Sequence, residues 1–103
     1  MASIDLRTLN NENGGACKKV GSVGTTTQQI ILPRWCKTVT VCPKNQAIYF
    51  EYDGTDGAAI GGDAFPHPVD VVIQYNPQKN SNDESSIFVA AQTGTSNVFL
   101  IME

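Results

Sequence analysis

The 103-residue chain has no long apolar run and a single histidine. No stretch approaches the roughly 20 consecutive apolar residues that a helix needs to cross a bilayer. The N-terminal sequence MASIDLRTLN lacks the basic segment followed by an apolar one that marks a secretory signal. We therefore expect a soluble protein that is made in a cytosol and has no membrane partner.

Charged residues are also scarce, at 17% of the chain, and the formal net charge is −3. This composition excludes a strong positive field, so we expect no nucleic-acid partner. Residues 1–44 hold six basic and two acidic residues, a balance of +4, whereas residues 45–103 hold one basic and eight acidic residues, a balance of −7. A basic arm lying on an acidic partner surface is one interpretation of this asymmetry, and chance in a short chain is the other.

The three cysteines fit neither a disulfide framework nor a CxxC pair, because their count is odd and their spacings are 19 and 6 residues. If residues 36–42 are extended, Cys36 and Cys42 lie about 20 Å apart. A disulfide requires Cα atoms within about 7 Å, so these two residues cannot pair unless the chain turns between them. We interpret Cys17, Cys36 and Cys42 as reduced core or surface residues.

Ligand-binding motifs are missing from the most unusual segment, YFEYDGTDGAAIGGDAFPHPVD at 49–70. Its aspartates are not spaced as in an EF-hand, and neither GxGxxG nor GxxxxGK[ST] occurs. Asp-Gly pairs are typical of tight turns. The sequence therefore predicts a long connection with no metal and no cofactor, although an irregular Ca²⁺ site at Asp53, Asp56 and Asp63 stays an alternative.

The residues best suited to catalysis or stacking have simpler interpretations. His67 lies between Pro66 and Pro68 in a stiff extended segment, which favours a structural or surface role over acid–base chemistry. A lone tryptophan such as Trp35 packs at a core edge or a subunit contact more often than it stacks on a sugar or base. We therefore predict that the chain is not an enzyme.

From residue 28 onward the pattern is that of short β-strands separated by turn residues. The predicted strands cover 28–32, 37–42, 46–52, 69–75, 85–91 and 96–102. Pro43 is expected to end the second strand, and QTGT at 92–95 predicts a hairpin between the last two. The fold class is all-β, a single compact antiparallel sandwich or barrel.

The first 27 residues show no regular period, so we divide the chain into a flexible N-terminal arm at 1–27 and an antiparallel β domain at 28–103. The last predicted strand is apolar on both faces and calls for a partner on its outer side. A second copy is the simplest partner for a domain this small. The predicted oligomer interface consists of Trp35, Val98, Phe99, Leu100 and Ile101.

Three segments resemble small accessory structural proteins of tailed bacteriophages. They are KTVTVCPKNQAIYFEYDGTDGAA (37–59), PVDVVIQY (68–75) and SSIFVAAQTGTSNVFLIME (85–103). The resemblance implies a virion component, assembled in the host cytoplasm, whose β body self-associates as a trimer or larger ring. It implies a capsid decoration (cement) protein that binds the major capsid protein or other virion proteins. The predicted capsid-contact residues of the arm are Ile4, Leu6, Arg7, Leu9, Lys18 and Lys19.

The resemblance also leaves an alternative open. The chain would then be a tail, fibre or receptor-binding module of the virion that binds a glycan through Trp35, Tyr49, Tyr52 and the 53–68 loop. Neither version involves an enzyme or a cofactor.

Overall fold

The structure is a computed structural model that describes residues 2–11, 14–53 and 63–103. Within these ranges the chain forms nine β-strands and no helix. The strands are β1 Ala2–Asp5, β2 Ala16–Val23, β3 Gln28–Ile31, β4 Val39–Lys44, β5 Ile48–Glu51, β6 Phe65–His67, β7 Ile73–Tyr75, β8 Ser86–Ala91 and β9 Ser96–Met102. Accordingly, none of the described segments is a helix long and apolar enough to cross a membrane.

Two sheets pack face to face as a β-sandwich. The five-stranded sheet has the order β1-β3-β8-β5-β6, and the four-stranded sheet has the order β2-β9-β4-β7. The predicted all-β class is therefore confirmed, with the sandwich as the form it takes. One described pair departs from the antiparallel pattern, because β1 runs parallel to β3.

The core lies between the sheets and follows the period of two that strands impose. On β9, Val98, Leu100 and Met102 are fully or almost fully buried. Phe50 of β5 and Val89 of β8, both in the other sheet, belong to the same core. Each large apolar side chain removed from water in this way stabilises the fold by roughly 1.5–3 kcal/mol. Burial, more than any single hydrogen bond, therefore holds the sheets together.

β4 continues past Pro43, where the sequence predicted that it would stop. Pro43 still pairs with Val98 of β9, while the pairing of β4 with β7 ends at Val41. The carbonyl of Pro43 accepts a hydrogen bond from the backbone N–H of Asp70 at 2.9 Å, on the side away from β9. The N–H and C=O of one residue point to the same side of an antiparallel strand. The nitrogen of Pro43, which has no proton to donate, therefore faces β7, where the pairing of strands has already ended, and no hydrogen bond of the sheet is lost.

The predicted division at residue 27 is wrong as a structural boundary. β1 pairs with β3 at the edge of one sheet, and β2 pairs with β9 at the edge of the other. Leu6, Val20 and Val23 from this segment are buried in the common core. The sequence did not predict β2 as a strand, because a register shift between Val20 and Val23 interrupts its alternation of apolar and polar residues.

The predicted hairpin between the last two strands is also wrong. β8 pairs with β3 and β5, whereas β9 pairs with β2 and β4, so the connection between them crosses from one sheet to the other. Gly94 takes a φ of +61° in this crossing. The hydroxyl oxygen of Ser96 lies 3.1 Å from the carbonyl oxygen of Lys44 and 2.8 Å from that of Gln46, to which it donates. This contact connects the start of β9 to the β4–β5 turn.

The predicted strand at 69–75 is shorter than expected, since only Ile73–Tyr75 is a strand. The residues before it form a turn in which Asp70 has a φ of +64°. Val71 and Val72 are exposed there, with 41% and 64% of their surfaces accessible. Apolar composition suggested a strand, but the turn at Asp70 takes this segment out of the sheet.

The burial of Leu6 gives a direct test of the N-terminal segment. Leu6→Ala should lower the free energy of unfolding by about 2–5 kcal/mol, because it leaves a cavity in the core. Leu9→Ala, at a position only partly buried, should lower it by less. Chemical denaturation measures both values. A Leu6→Ala variant as stable as the wild type would mean that this segment does not contribute to the folded core.

Gly94 gives a second test. Gly94→Ala should destabilise the fold by about 1–2 kcal/mol, because a Cβ atom is disfavoured at positive φ even though the nearest side chain leaves ordinary space for it. Gly24→Ala is the matched control, since no atom lies within 4 Å of its added Cβ and its φ is not positive. Equal denaturation midpoints for the two variants would contradict the left-handed conformation at Gly94.

Candidate functional site

The described residues expose seven large apolar or aromatic side chains, which fall into three groups. Phe99 and Ile101 lie on β9, Tyr52 and Phe65 lie at one end of the sandwich, and three valines lie in the turn before β7. The full set is Tyr52, Phe65, Val69, Val71, Val72, Phe99 and Ile101. Exposed apolar surface marks binding sites, and the members of each of the first two groups line a concave region, so these two groups are the candidate sites.

The first candidate is the outer face of the four-stranded sheet around Phe99 and Ile101, which we name the β9 face. Phe99 is 42% exposed and Ile101 is 46% exposed, although β9 is an inner strand of its sheet. Residues directly opposite one another in antiparallel strands point to the same side. The β9 face therefore also includes Cys17 and Thr40 beside Ile101, and Lys19 and Cys42 beside Phe99.

Lys19 borders this apolar face on the β2 side, where its ammonium nitrogen lies 6.0 Å from the centre of the Phe99 ring. Lys18 is also exposed, but it pairs with the buried Leu100 and therefore points to the other side of the sheet. A shallow depression of about 440 Å³ is lined by these lysines and their neighbours on β9. The surface thus combines an apolar centre with a basic margin, which suits contact with an apolar surface that carries acidic residues.

The predicted interface residues divide between the two sides of the sheet. Phe99 and Ile101 point outward, but Val98 and Leu100 are buried in the core beneath them. Trp35 does not join this face: it packs against the core, and its indole Nε1 donates to the carbonyl of Leu9 at 2.9 Å. The packing role that the sequence favoured for Trp35 is the one the structure has.

The apolar residues of the predicted capsid-contact arm pack on their own domain. Leu6 is buried, and Ile4 and Leu9 are partly buried against the core. Their side chains are therefore needed by the fold. This corrects their assignment as an arm that reaches away from the β domain.

The basic residues of that predicted arm lie at the surface. Arg7 binds Asp5 at 2.7 Å and also binds Glu84, so it ties the end of β1 to the segment before β8. The hydrogen bonds from Arg7 lower the pKa of Asp5 to about 2. Lys18 and Lys19 stay exposed on β2.

The second candidate is a cleft of about 580 Å³ at one end of the sandwich, which we name the aromatic cleft. Four aromatic residues and three acidic residues line it. The lining residues are Phe50, Glu51, Tyr52, Asp53, Asp63, Phe65, Ile73, Gln74 and Tyr75. A concave site with apolar walls and a few polar groups is the usual form of a small-ligand site.

The rings of the cleft contact one another in a fixed arrangement. Phe50 and Tyr75 stack with centroids 3.6 Å apart and planes 7° apart. Tyr52 meets Phe50 edge-on, at 5.1 Å and 89°, and its hydroxyl accepts a hydrogen bond from the backbone N–H of Asn76 at 3.2 Å. Phe65 stands at 75° to Tyr75 with centroids 6.5 Å apart.

His67 fixes the Tyr75 ring from behind. Its Nε2 lies 2.6 Å from the carbonyl oxygen of Val71, which can only accept, so Nε2 carries the proton. Nδ1 then accepts the hydroxyl proton of Tyr75 at 2.9 Å. Burial lowers the pKa of His67, against an opposing effect of the hydrogen bond to Val71, and burial raises the pKa of Tyr75. Both groups are therefore neutral. His67 is buried and hydrogen-bonded to Tyr75 and Val71, which is a structural role, as the sequence predicted.

The opening part of the 53–68 loop lies mainly outside the described residues, and so does Asp56 of the alternative Ca²⁺ site. Its last part is not a loop, because Phe65–His67 is the strand β6 that pairs with β5. Within residues 2–11, 14–53 and 63–103, no group of three or more His, Cys, Asp or Glu side chains is placed to hold a metal ion.

The three cysteines are free thiols. Cys36 is buried, its thiol lies 3.2 Å from the carbonyl oxygen of Thr38, and burial raises its pKa. Cys17 is exposed and Cys42 is half-buried, both on the β9 face.

The sequence did not predict the aromatic cleft as a unit. The glycan alternative combined Tyr52 with the 53–68 loop, which contains Phe65, but it did not include Phe50 or Tyr75. The connection depends on the pairing of β5 with β6 and on contacts between the two sheets. The only sequence signal was the run of aromatic residues that flank the Gly/Asp segment.

Comparison with known protein families, with curated proteins and with solved structures gives no match to this chain. Function must therefore be inferred from the residues and their arrangement.

The buried histidine makes a pH-dependent stability testable. An unfolded histidine has a pKa of about 6.5. Since the pKa of His67 is lowered by folding, the unfolded state binds its proton first as the pH falls. Stability should thus be full above about pH 7 and should fall toward pH 5, by at most about 1.4 kcal/mol per pH unit for one proton.

Urea denaturation at pH 7.5, 6.5 and 5.5 measures this loss. His67→Gln should flatten the dependence in this window, because His67 is the chain's only histidine. Tyr75→Phe is the companion variant: it should lower stability by about 1–3 kcal/mol at every pH by leaving Nδ1 without its donor. An unchanged pH dependence in His67→Gln would contradict the assignment of the neutral imidazole.

Proposed function

We propose that this chain is a non-enzymatic structural protein that self-associates through the β9 face and decorates the outer capsid surface of a virion. The observation that carries the proposal is the exposure of Phe99 and Ile101 side by side on an inner strand. The resemblance of residues 37–59, 68–75 and 85–103 to accessory proteins of tailed bacteriophages supports the virion setting.

The physical reason for self-association is the unfavourable contact of these side chains with water. Removing apolar area from water stabilises a contact by about 25 cal/mol per Å². A stable interface buries about 800 Å² on each partner, so Phe99 and Ile101 would form its centre and the flanking strands β2 and β4 its margin. The neighbouring residues Thr40 and Cys42 are small and leave a flat surface that another sheet face can approach.

The distribution of charge favours a head-to-tail contact over a two-fold one. The exposed Lys19 borders the β9 face, and two such faces in direct contact would bring like charges together. Residues 45–103 carry a balance of −7 and offer acidic surface for a neighbouring copy. Head-to-tail contacts that close form rings, of which the proposed trimer is the smallest common case.

The proposed capsid contact is narrower than the predicted arm. Ile4, Leu6 and Leu9 pack on the domain itself, and Arg7 forms ion pairs with Asp5 and Glu84. The remaining members of the predicted set are Lys18 and Lys19, which are exposed at the surface. An edge strand with two exposed lysines can bind an acidic capsid surface through contacts that weaken with salt. Attachment through the edge of β2 replaces attachment through a free arm.

The aromatic cleft favours a second candidate, a receptor-binding or fibre module that binds a glycan. Tyr52 lines the cleft, as that alternative requires. Trp35 and Tyr49 are not among its lining residues, so a glycan would be held by Tyr52, Phe65 and the acidic side chains instead.

The self-association proposal predicts a loss of oligomers on polar substitution. The wild-type chain should sediment as an oligomer, a trimer by expectation, and the double variant Phe99→Ser/Ile101→Ser as a monomer with the same far-UV circular dichroism. Phe65→Ser is the matched control, because Phe65 is 49% exposed and lies on β6 of the other sheet. A monomeric wild type at millimolar concentration, or a double variant of unchanged mass, would rule out this interface.

The virion assignment is tested separately. Antibody labelling of purified phage particles under the electron microscope should place many copies over the head. Labelling confined to the tail tip would favour the receptor-binding candidate, and particles without label would contradict both.

A further inference from the structure

We propose that the aromatic cleft binds an organic cation, an ammonium or guanidinium group carried by a small molecule or by a side chain of a partner protein. This site is separate from the β9 face and does not depend on self-association. Aromatic faces attract cations within about 6 Å of the ring centre, and cages of several rings are used to hold alkylated ammonium groups.

The cleft has the ring arrangement of such a cage. The stacked pair Phe50 and Tyr75 is almost fully buried and forms the base. Tyr52 and Phe65 are 50% and 49% exposed, and their planes stand at 82° and 75° to the Tyr75 ring. Their centroids lie 6.0 and 6.5 Å from that of Tyr75, so several rings can lie within reach of one bound group.

The rings are held in place before any ligand arrives. The hydroxyl of Tyr52 accepts from the backbone of Asn76, and Tyr75 donates to the buried His67. Phe65 is carried by β6, whose pairing places it opposite Phe50. A site whose groups are already ordered loses less entropy on binding than one that must rearrange.

The charge of the cleft selects a cation. Asp53 and Asp63 line it together with Glu51, whose side chain points to the face of β5 opposite Phe50, and none of the described lining residues is basic. An anion would be repelled at the same position. A neutral sugar could stack on the rings, but the acidic residues would not add to its binding free energy. The charge of the ligand is therefore the property that distinguishes a cation from a sugar at this site. The volume of about 580 Å³ lies in the usual range for ligand sites and accommodates a trimethylammonium group.

The first experiment titrates the full chain with choline and with 3,3-dimethylbutan-1-ol, the uncharged isostere of choline, and follows binding by nuclear magnetic resonance. Choline should shift the ring signals of Tyr52 and Phe65 and bind at least about tenfold more tightly than the isostere. Equal binding of the two probes would overturn the proposal. Binding of glucose or galactose without choline would assign the cleft to a glycan.

The second experiment uses matched variants. Phe65→Leu keeps an apolar side chain but removes the ring, and should weaken choline binding about tenfold. Phe88→Leu makes the same exchange at the half-buried phenylalanine of β8, which is not among the residues that line the cleft, and should leave binding unchanged. Asp63→Asn should also weaken binding and reduce its sensitivity to salt. Unchanged affinity in both Phe65→Leu and Asp63→Asn would contradict the cation site even if choline binds elsewhere.

The source of the cation is distinguished by a third comparison. Short peptides with trimethyllysine, lysine or arginine are titrated beside free choline under the same conditions. Tighter binding of a peptide than of choline indicates a partner protein, and tighter binding of choline indicates a small molecule. Failure of every cationic probe overturns the cation proposal and leaves self-association through the β9 face unaffected.

Discussion

The structure depends most on the burial of one face of β9 between two other strands. Val98, Leu100 and Met102 fill the centre of the core, while the backbone of β9 pairs with β2 on one side and β4 on the other. Because side chains alternate along a strand, burying this set turns Phe99 and Ile101 outward. The same strand thus supplies the centre of the core and the apolar surface proposed for self-association.

The two candidate surfaces differ in chemistry and in location. The β9 face is flat, apolar and bordered by Lys19, which suits contact with a protein surface. The aromatic cleft is concave, rich in rings and lined by acidic side chains, which suits a compact cationic group. A protein that attaches to a large assembly through one surface keeps the other available for a ligand.

Much of this fold was predictable from the sequence because β3, β4, β5, β8 and β9 are rich in strand-forming residues and are separated by turn residues. The crossing at Gly94 was not predictable, since a tight turn between two apolar strands looks the same whether the strands pair or cross between sheets. β2 was missed because its register shift breaks the alternation. The cleft was missed because Phe65 and Tyr75 reach Phe50 only through pairing and sheet packing, which no local pattern records.

The central claim, that the β9 face is covered by another copy, is tested most directly by hydroxyl-radical footprinting at increasing protein concentration. Oxidation of Phe99 and Ile101 should fall as the concentration rises, while oxidation of the exposed Phe65 on the other sheet should stay constant. Oxidation of Phe99 and Ile101 that does not depend on concentration, in a chain that still forms oligomers, would show that another surface makes the contact.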